Sequence, residues 1–485
     1  NIGIAILYNM GTNIFLGEIS YITKAISAVL QLGVTMDFAI FLYHSYQAEL
    51  KNTTDRNQAM SIAISKTFTS VLGSSLTTIA GFLALCSMNL TLGKDIGIVM
   101  AKGVLFGVIS VVTILPSLIL MFDKAIQKTK HKELLPKFTT ISEFNIKHYK
   151  AIIVIFLIAL PIALYGYNNT KVYYKLDSSL PETLDSISAN NTLKNKFGLV
   201  SQEMILINKD TPNDEINEML DKIEELDGVD FTLSYSKLSE LGIPEEMLPE
   251  DLLSIFQTDK YQMILINSKY EIATDELNNQ IAKINEIVKQ YDSNAKVVGE
   301  GPLMKDLVEI SDHDFNSVNT VSIGIIFVIM MFVLKSISLP VLLVIAIEFA
   351  IFINMGIPYY TNTTIPFIAS IVIGTIQLGA TIDYAILITT KYIQNRKDGK
   401  DKKQAVSEAL GTSINSIIVS GLCFFGATFG VGAYSKIEMI GSLCTLMSRG
   451  AIISVIVVIT VLPAFLMIFD KLVCKTTIGM REVKN

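Results

Sequence analysis

Tryptophan is absent from the 485 residues, and cysteine and histidine occur four times each. Without Trp, anchoring at a membrane interface falls to Tyr and Lys. Cys86, Cys423, Cys444 and Cys474 lie in or beside apolar stretches with no CxxC spacing. They read as core thiols rather than metal ligands or a disulfide framework. His44, His131, His148 and His313 are scattered, which argues against a metal centre. Charge is also scarce, at 17% of residues against about 25% in soluble globular chains. No strong basic field suggests nucleic acid. No nucleophile–base constellation or nucleotide-binding loop appears, so neither an enzyme nor a cofactor is expected.

What is abundant is apolar sequence: 51% hydrophobic residues and a mean hydropathy of +0.48. Stretches of about 20 apolar residues read as membrane spans. They fall at 1–16 (incomplete), 21–46, 66–89, 96–122, 149–167, 318–334, 338–357, 365–391, 412–433 and 439–468. Three of the polar segments between or after them are basic. One carries Lys124, Lys128, Lys130, Lys132 and Lys137, the second Lys391 to Lys403, and the third, the C-terminal tail, Lys471, Lys475, Arg481 and Lys484. The positive-inside rule puts all three in the cytoplasm.

Residues 168–317 form the single large polar insert, with 29 Asp and Glu, 13 Lys and no Arg. Lying opposite the basic loops, it is expected outside the cytoplasm. Its pattern reads strand (Glu203–Asn208), helix (Asn213–Leu226), strand (Val229–Tyr235), then strand (Tyr261–Asn267), helix (Thr274–Tyr291), strand (Ala295–Gly299). Two such βαβ units predict a ferredoxin-like α+β domain. The segment MILIN occurs at both 204–208 and 263–267, which suggests duplication of the unit.

A larger repeat spans the membrane part. QLGVTMDFAIFLYHSY at 31–46 matches QLGATIDYAILITTKY at 377–392 in eight of sixteen positions, an offset of 346 residues. The same offset carries Thr67, Ser70 and Ser74 onto Ser413, Ser416 and Ser420. LPSLILMFDK at 115–124 closes the first copy and LPAFLMIFDK at 462–471 the second. Both copies end at a basic loop, so an axis along the membrane normal relates them. Nothing before Asn1 supplies counterparts of the 149–167 span, the insert and the 318–334 span. The repeat logic therefore predicts roughly 200 further residues upstream. The expected organisation is a truncated first membrane repeat over 1–122, a cytoplasmic linker over 123–148 and the first span of the second repeat over 149–167. An extracytoplasmic porter-like domain follows over 168–317, then five spans over 318–470 and a cytoplasmic tail over 471–485.

At this point the sequence resembles a known superfamily, resistance-nodulation-division (RND). Two six-span halves, each with a large insert after its first span, are its architecture. Gly33-Val34-Thr35-Met36-Asp37-Phe38 and Gly379-Ala380-Thr381-Ile382-Asp383-Tyr384 are similar to the motif of its MMPL, or hydrophobe/amphiphile exporter, branch. The surrounding spans resemble a sterol-sensing-domain (SSD) core. The fold implied is an α-helical polytopic membrane protein of two pseudo-symmetric halves with ferredoxin-like extracytoplasmic domains. The function implied is proton-driven export of lipids or other amphiphiles across the cytoplasmic membrane. The partners implied are membrane lipids, amphiphilic cargo and protons, and a homo-oligomer is compatible with all of this.

Asp37 and Asp383 are the foremost candidate site residues. A carboxylate within a span costs about 2.5–3.5 kcal/mol on insertion scales, so it faces a protein interior or a water path. The resemblance implies that each meets the aromatic hydroxyl of the other half. Asp37 then meets Tyr384, whereas Asp383 faces Phe38, which has no donor. Asp383 is expected to lean instead on hydroxyls such as Ser416 or Ser420, or on water. Thr67, Ser70 and Ser74 share one helix face, as do Ser413, Ser416 and Ser420. These ladders either support the relay or simply allow close helix packing. Lys102 and Arg449 also match across the repeat and are expected to snorkel to the outer interface. Segments 47–64 and 393–410 read as amphipathic cytoplasmic connector helices. His44, two turns after Asp37, is a candidate proton exit, although its counterpart is Thr390. Two other functions compete with a secondary transporter: a non-enzymatic motor that pulls polypeptide, and a lipid-sensing receptor or scaffold.

Overall fold

The computed structural model describes residues 1–53, 55–129, 139–174, 180, 182–240 and 254–480, without the side chains of Thr69, Ser70, Thr139, Ser239 and Glu240. Lys130, His131, Lys132, Lys137, Arg481 and Lys484 lie outside the described residues, as does the Ser70 side chain. Among the described residues the chain divides into two compact units, 1–172 with 313–485, and 173–312.

The first unit is a bundle of long helices. The short helix α1 (Ile2–Gly11) runs into a 3₁₀ turn, Thr12–Leu16. Then come α2 (Tyr21–Glu49), α3 (Arg56–Ala84), α4 (Thr91–Lys128) and α5 (Thr139–Asn168). Beyond the second unit lie α10 (Glu300–Leu334), α11 (Ser338–Tyr360), α12 (Phe367–Lys397), α13 (Lys402–Tyr434) and α14 (Glu438–Thr476). Among the described residues, eight helices are long and apolar enough to cross a membrane, and α3, bent by 44° after Phe68, makes a ninth if taken as one crossing. The chain is therefore a multi-pass α-helical membrane protein.

The expected connector helices at 47–64 and 393–410 do not form. The span helices continue through those segments and turn sharply. Asp55 accepts from the Asn57 amide at 2.9 Å to start α3. Asp401 accepts from the Gln404 amide at 2.7 Å to start α13, following Gly399 at φ +85°. An Asp cap satisfies the free first-turn amides, so a new helix starts at once.

The second unit contains α6 (Asp185–Phe197), β1 (Ser201–Asn208), α7 (Asn213–Glu224), β2 (Val229–Leu233), α8 (Tyr235–Glu240), β3 (Tyr261–Ser268), α9 (Asp275–Tyr291) and β4 (Lys296–Gly299). In the sheet β3 lies between β2 and β1, and β4 flanks β1 on its other side. Every neighbouring pair is antiparallel. Strand β1 buries alternate residues, so Ile205 and Ile207 reach a core shared with Ile216, Leu220, Ile264 and Ile284. The two MILIN segments lie side by side, with Met204 opposite Leu265 and Leu206 opposite Met263.

Glu203 occupies the same buried face of β1. Its Oε1 accepts the Ser201 hydroxyl, and its Oε2 has no partner. Burial pushes its carboxyl up from the usual range, offset partly by the Ser201 bond. A group whose folded pKa is raised stabilises the fold below its unfolded pKa and loses that contribution as pH rises through the folded pKa. Glu203→Gln should therefore melt higher than the parent at about pH 8 and equally near pH 4. Melting curves that stay parallel across that range would show that burial of this carboxyl costs nothing.

Candidate functional site

Asp37 lies midway along α2 and Asp383 midway along α12, each 2% exposed. The matched helices pack crosswise: α2 contacts α13, and α12 contacts α3. The motif glycines make this possible. A Cβ on Gly33 would come within 2.4 Å of the Phe424 ring on α13, and one on Gly81 of α3 within 3.2 Å of the Gly379 Cα. Thr78 of α3 closes the second contact, its hydroxyl donating to the Gly379 carbonyl at 3.0 Å. Small residues at such crossings allow helices to approach in the absence of a hydrophobic driving force.

This crossing sets the neighbours of each carboxylate. Ser420 of α13 lies beside both the Asp37 carboxylate and the Tyr384 phenol. Thr78 lies beside Asp383. Asp37, Asp383 and Tyr384 are close enough to interact electrostatically, and Cys423 joins them at Asp37. Hydrogen bonding is incomplete: Asp37 Oδ1, Asp383 Oδ1 and Ser420 Oγ have no partner. Of the hydroxyls expected near Asp383, Ser420 thus lies at Asp37, while Ser416 shares a cavity wall with Asp383. Ser420 attends Asp37, because α13 packs on α2, and Thr78 reaches Asp383 from α3. Ser74 bonds its own helix at the Val71 carbonyl, 3.3 Å away. Ser74, Thr67 and Ser416 line a cavity of about 1220 Å³ together with Asp383 and His44. Ser413 is buried, its hydroxyl unbonded.

Each aspartate sits between two polar pins. At 1.5 Å per residue, Gln31 is about 9 Å before Asp37 on α2 and Tyr46 about 14 Å beyond it. Asn9 donates to Gln31 Oε1 at 2.8 Å, Gln31 donates to the Gly103 carbonyl at 2.9 Å, and Lys102 donates to the Asn9 carbonyl at 3.0 Å. The second copy repeats the arrangement. Asn354 donates to Gln377 Oε1 at 2.8 Å, Gln377 donates to the Gly450 carbonyl at 3.4 Å, and Arg449 donates to the Asn354 carbonyl at 2.6 Å. Lys102 and Arg449 thus each bond a neighbouring helix. Arg449 also donates to Asn354 Oδ1, whereas Asn9 Oδ1 has no partner. At the other end Tyr46 donates to Asp123 at 3.4 Å, and Arg56 pairs with Asp123 at 3.0 Å. Tyr392 likewise donates to Asp470, with Arg396 at 3.1 Å. Gln31/Gln377 and Tyr46/Tyr392 are the first and last letters of the sixteen-residue match, so the sequence carries that signal.

One further carboxylate escapes the sequence reading. Glu348 of α11 is 8% exposed, with Oε1 unbonded and Tyr167 within electrostatic range. It has no carboxylate counterpart in the first copy.

Comparison with known proteins follows the same lines. The chain is 22% identical to ActII-3 of Streptomyces coelicolor over 480 residues, 94% of this chain and 63% of that protein. It is 23% identical to YdgH of Bacillus subtilis over 332 residues, 64% of this chain and 35% of that protein. It is 23% identical over 185 residues to the mycolic acid-containing lipids exporter MmpL11 of Mycolicibacterium smegmatis, covering 37% of this chain and 19% of that protein. The chain thus spans less than two thirds of the length of these relatives. The sequence pattern of the MMPL family matches residues 2–141 and 251–478. With the repeat and the buried GxxxDF and GxxxDY motifs in place, the chain belongs to the MMPL family.

Proposed function

We propose that the protein is a proton-driven secondary transporter that exports lipids or other amphiphiles across the cytoplasmic membrane. The observation that carries this reading is the buried pair Asp37 and Asp383. Two aspartates 346 residues apart in sequence meet where the two repeat copies cross, with Tyr384 and incompletely bonded hydroxyls around them. An intramembrane carboxylate of this kind is the usual mark of a proton relay. One proton crossing 100 mV supplies about 2.3 kcal/mol, enough to bias a conformational cycle. Asp37, Asp383 and Tyr384 form the relay, with Ser420 and the cavity residues Ser74 and Ser416 in support. Ser70 belongs with them by its place on the ladder.

The two repeat copies act as pseudo-symmetric halves. The unit at 173–312 is a ferredoxin-like domain: each helix links strands that lie two places apart, with an antiparallel strand between them. Its acidic, arginine-free composition supports a place outside the cytoplasm on the positive-inside rule. Kinship with an exporter of mycolic acid-containing lipids supports an amphiphilic cargo.

Full-length protein in proteoliposomes tests the coupling. A pH step should accelerate transfer of an NBD-labelled phospholipid, read by dithionite quenching, and a protonophore should abolish the acceleration. Identical rates with and without the gradient would end the proton-driven reading. Sidedness is checked with single cysteines at the exposed positions Asp259 and Lys403. An impermeant maleimide should label position 259 in intact cells and position 403 only after permeabilisation. The reverse order would invert the topology.

A further inference from the structure

We infer that Glu348 anchors a binding site for an amphiphile that carries an ammonium group: the carboxylate takes the charge, and the aromatic rings beside it take the adjoining apolar body. The inference rests on the transporter reading and names a chemical class of cargo for it.

Glu348 lies about 15 Å along α11 from Ser338, near the middle of the helix. Val341, Ile345 and Tyr359 share its face, seven and three residues before it and eleven after. They are 42%, 41% and 38% exposed, so this face of α11 is the one turned toward lipid. Glu348 itself is only 8% exposed, and its Oε1 is enclosed and unbonded. Acidic side chains within a span pair with a partner of opposite charge. Among the described residues no basic side chain stands beside Glu348. Arg449, which also reaches α11, directs donors to Asn354 instead. A carboxylate on a lipid-facing stripe with no cation of its own is matched by a cation arriving from the bilayer.

The surroundings select which cation. Phe352, one turn beyond Glu348 on the same face, meets Tyr167 of α5 with ring centroids 5.1 Å apart. Tyr167 in turn meets Phe315 of α10 at 6.0 Å and is within electrostatic range of Glu348. Tyr165 and Tyr359 continue the aromatic run toward the far end of α11, edge to face at 5.5 Å. Among the described residues no group of three metal-ligating side chains gathers here, so a metal ion would lack ligands. Ring faces attract an ammonium group and also pack on the carbons attached to it. One carboxylate beside such rings therefore favours an amine on an apolar body over a neutral or anionic amphiphile. Helices α5, α10 and α11 all belong to the second repeat copy.

Photolabelling tests the site. Full-length protein in proteoliposomes is exposed to a long-chain primary amine with a mid-chain diazirine, and in parallel to its N-acetyl form, which has the same body without the charge. Crosslinks are quantified by peptide mass spectrometry. The peptide holding Phe352 should take the amine at least about tenfold more than the acetamide. Glu348→Gln should remove that preference, leave crosslinks elsewhere unchanged and melt no lower than the parent, because a neutral amide is easier to bury. Equal labelling of the parent by the two probes would overturn the inference even if the variant failed to fold. A preference that survives in folded Glu348→Gln would overturn it as well. Liposomes with and without phosphatidylethanolamine separate two sources of the same chemistry. Labelling that falls when this lipid is present identifies a bilayer amine as the occupant, and constant labelling identifies a foreign one. The transporter reading fails separately. If the amine preference depends on Glu348 but no labelled amphiphile moves under a pH gradient, the site stands and the transporter falls. If gradient-driven flux is present without any amine preference at Phe352, the transporter stands and the site falls.

Discussion

Asp37→Asn and Asp383→Asn should each reduce pH-driven transport to the rate of protein-free vesicles, a loss of about 100-fold or more. Asn keeps the shape and part of the hydrogen bonding of Asp but cannot exchange a proton in this range. Both positions lie inside the bundle, so the measured quantity must separate folding from coupling. Expression and monodispersity should match the parent, because a neutral amide is easier to bury than a carboxylate. Tyr384→Phe should weaken transport by less. It removes a hydroxyl beside Asp37 and Ser420, which leaves polar atoms short of a partner at about 1–3 kcal/mol. That corresponds to about 5- to 150-fold. Phe38→Tyr should be tolerated if its new hydroxyl finds Asp383, whose Oδ1 is unbonded. Undiminished gradient-driven flux in both Asn variants would remove the two aspartates from the coupling.

The asymmetry between the halves is partly legible in the amino-acid sequence. Phe38 against Tyr384 is visible in the aligned motif, and the fold surrounds that difference with a second one, Phe424 against Thr78. The second difference has no meaning in sequence alone, because its effect depends on which helices touch. The repeat suggests pairing by depth, which would assign Ser420 to Asp383. Crosswise packing assigns it to Asp37. Span limits are legible because apolar length is a strong local signal. The helices nevertheless extend beyond their apolar cores, α4 to Lys128 and α12 to Lys397. Polar ends continue a helix as long as caps and tight turns permit. In the second unit, period-two and period-3.6 patterns place four strands and two helices within a few residues. Helix α6 escapes that reading, since it has no buried residue to give it a period.

The Asn–Gln clasps lead to the second large expected effect. Gly103 and Gly450 leave room for the clasps. A Cβ at Gly450 would stand 2.6 Å from Gln377 Oε1 and 2.7 Å from Asn354 Nδ2. At Gly103 it would stand 2.6 Å from Asn9 Nδ2 and 3.0 Å from Gln31 Oε1. Both amides must then move, and the bond between them is lost or lengthened. Each buried polar group left unpaired costs about 1–3 kcal/mol. Gly450→Ala should therefore destabilise the protein by about 2 kcal/mol or more, read as a lower melting midpoint in fluorescence-detected size exclusion. Gly103→Ala should act in the same direction but less, since its second contact is longer. Arg449→Lys separates the roles further. Arg449 donates to both the Asn354 carbonyl and, at 2.8 Å, its Oδ1, and a lysine cannot reproduce that planar pair. Lys102→Arg, by contrast, should be mild, because Lys102 already bonds the Asn9 carbonyl and Asn13 Oδ1 as separate acceptors. Because the clasp holds α12 about 9 Å from Asp383, a clasp variant that still folds should lose transport together with stability. A Gly450→Ala protein with unchanged melting would show that the glycine is not needed for the clasp.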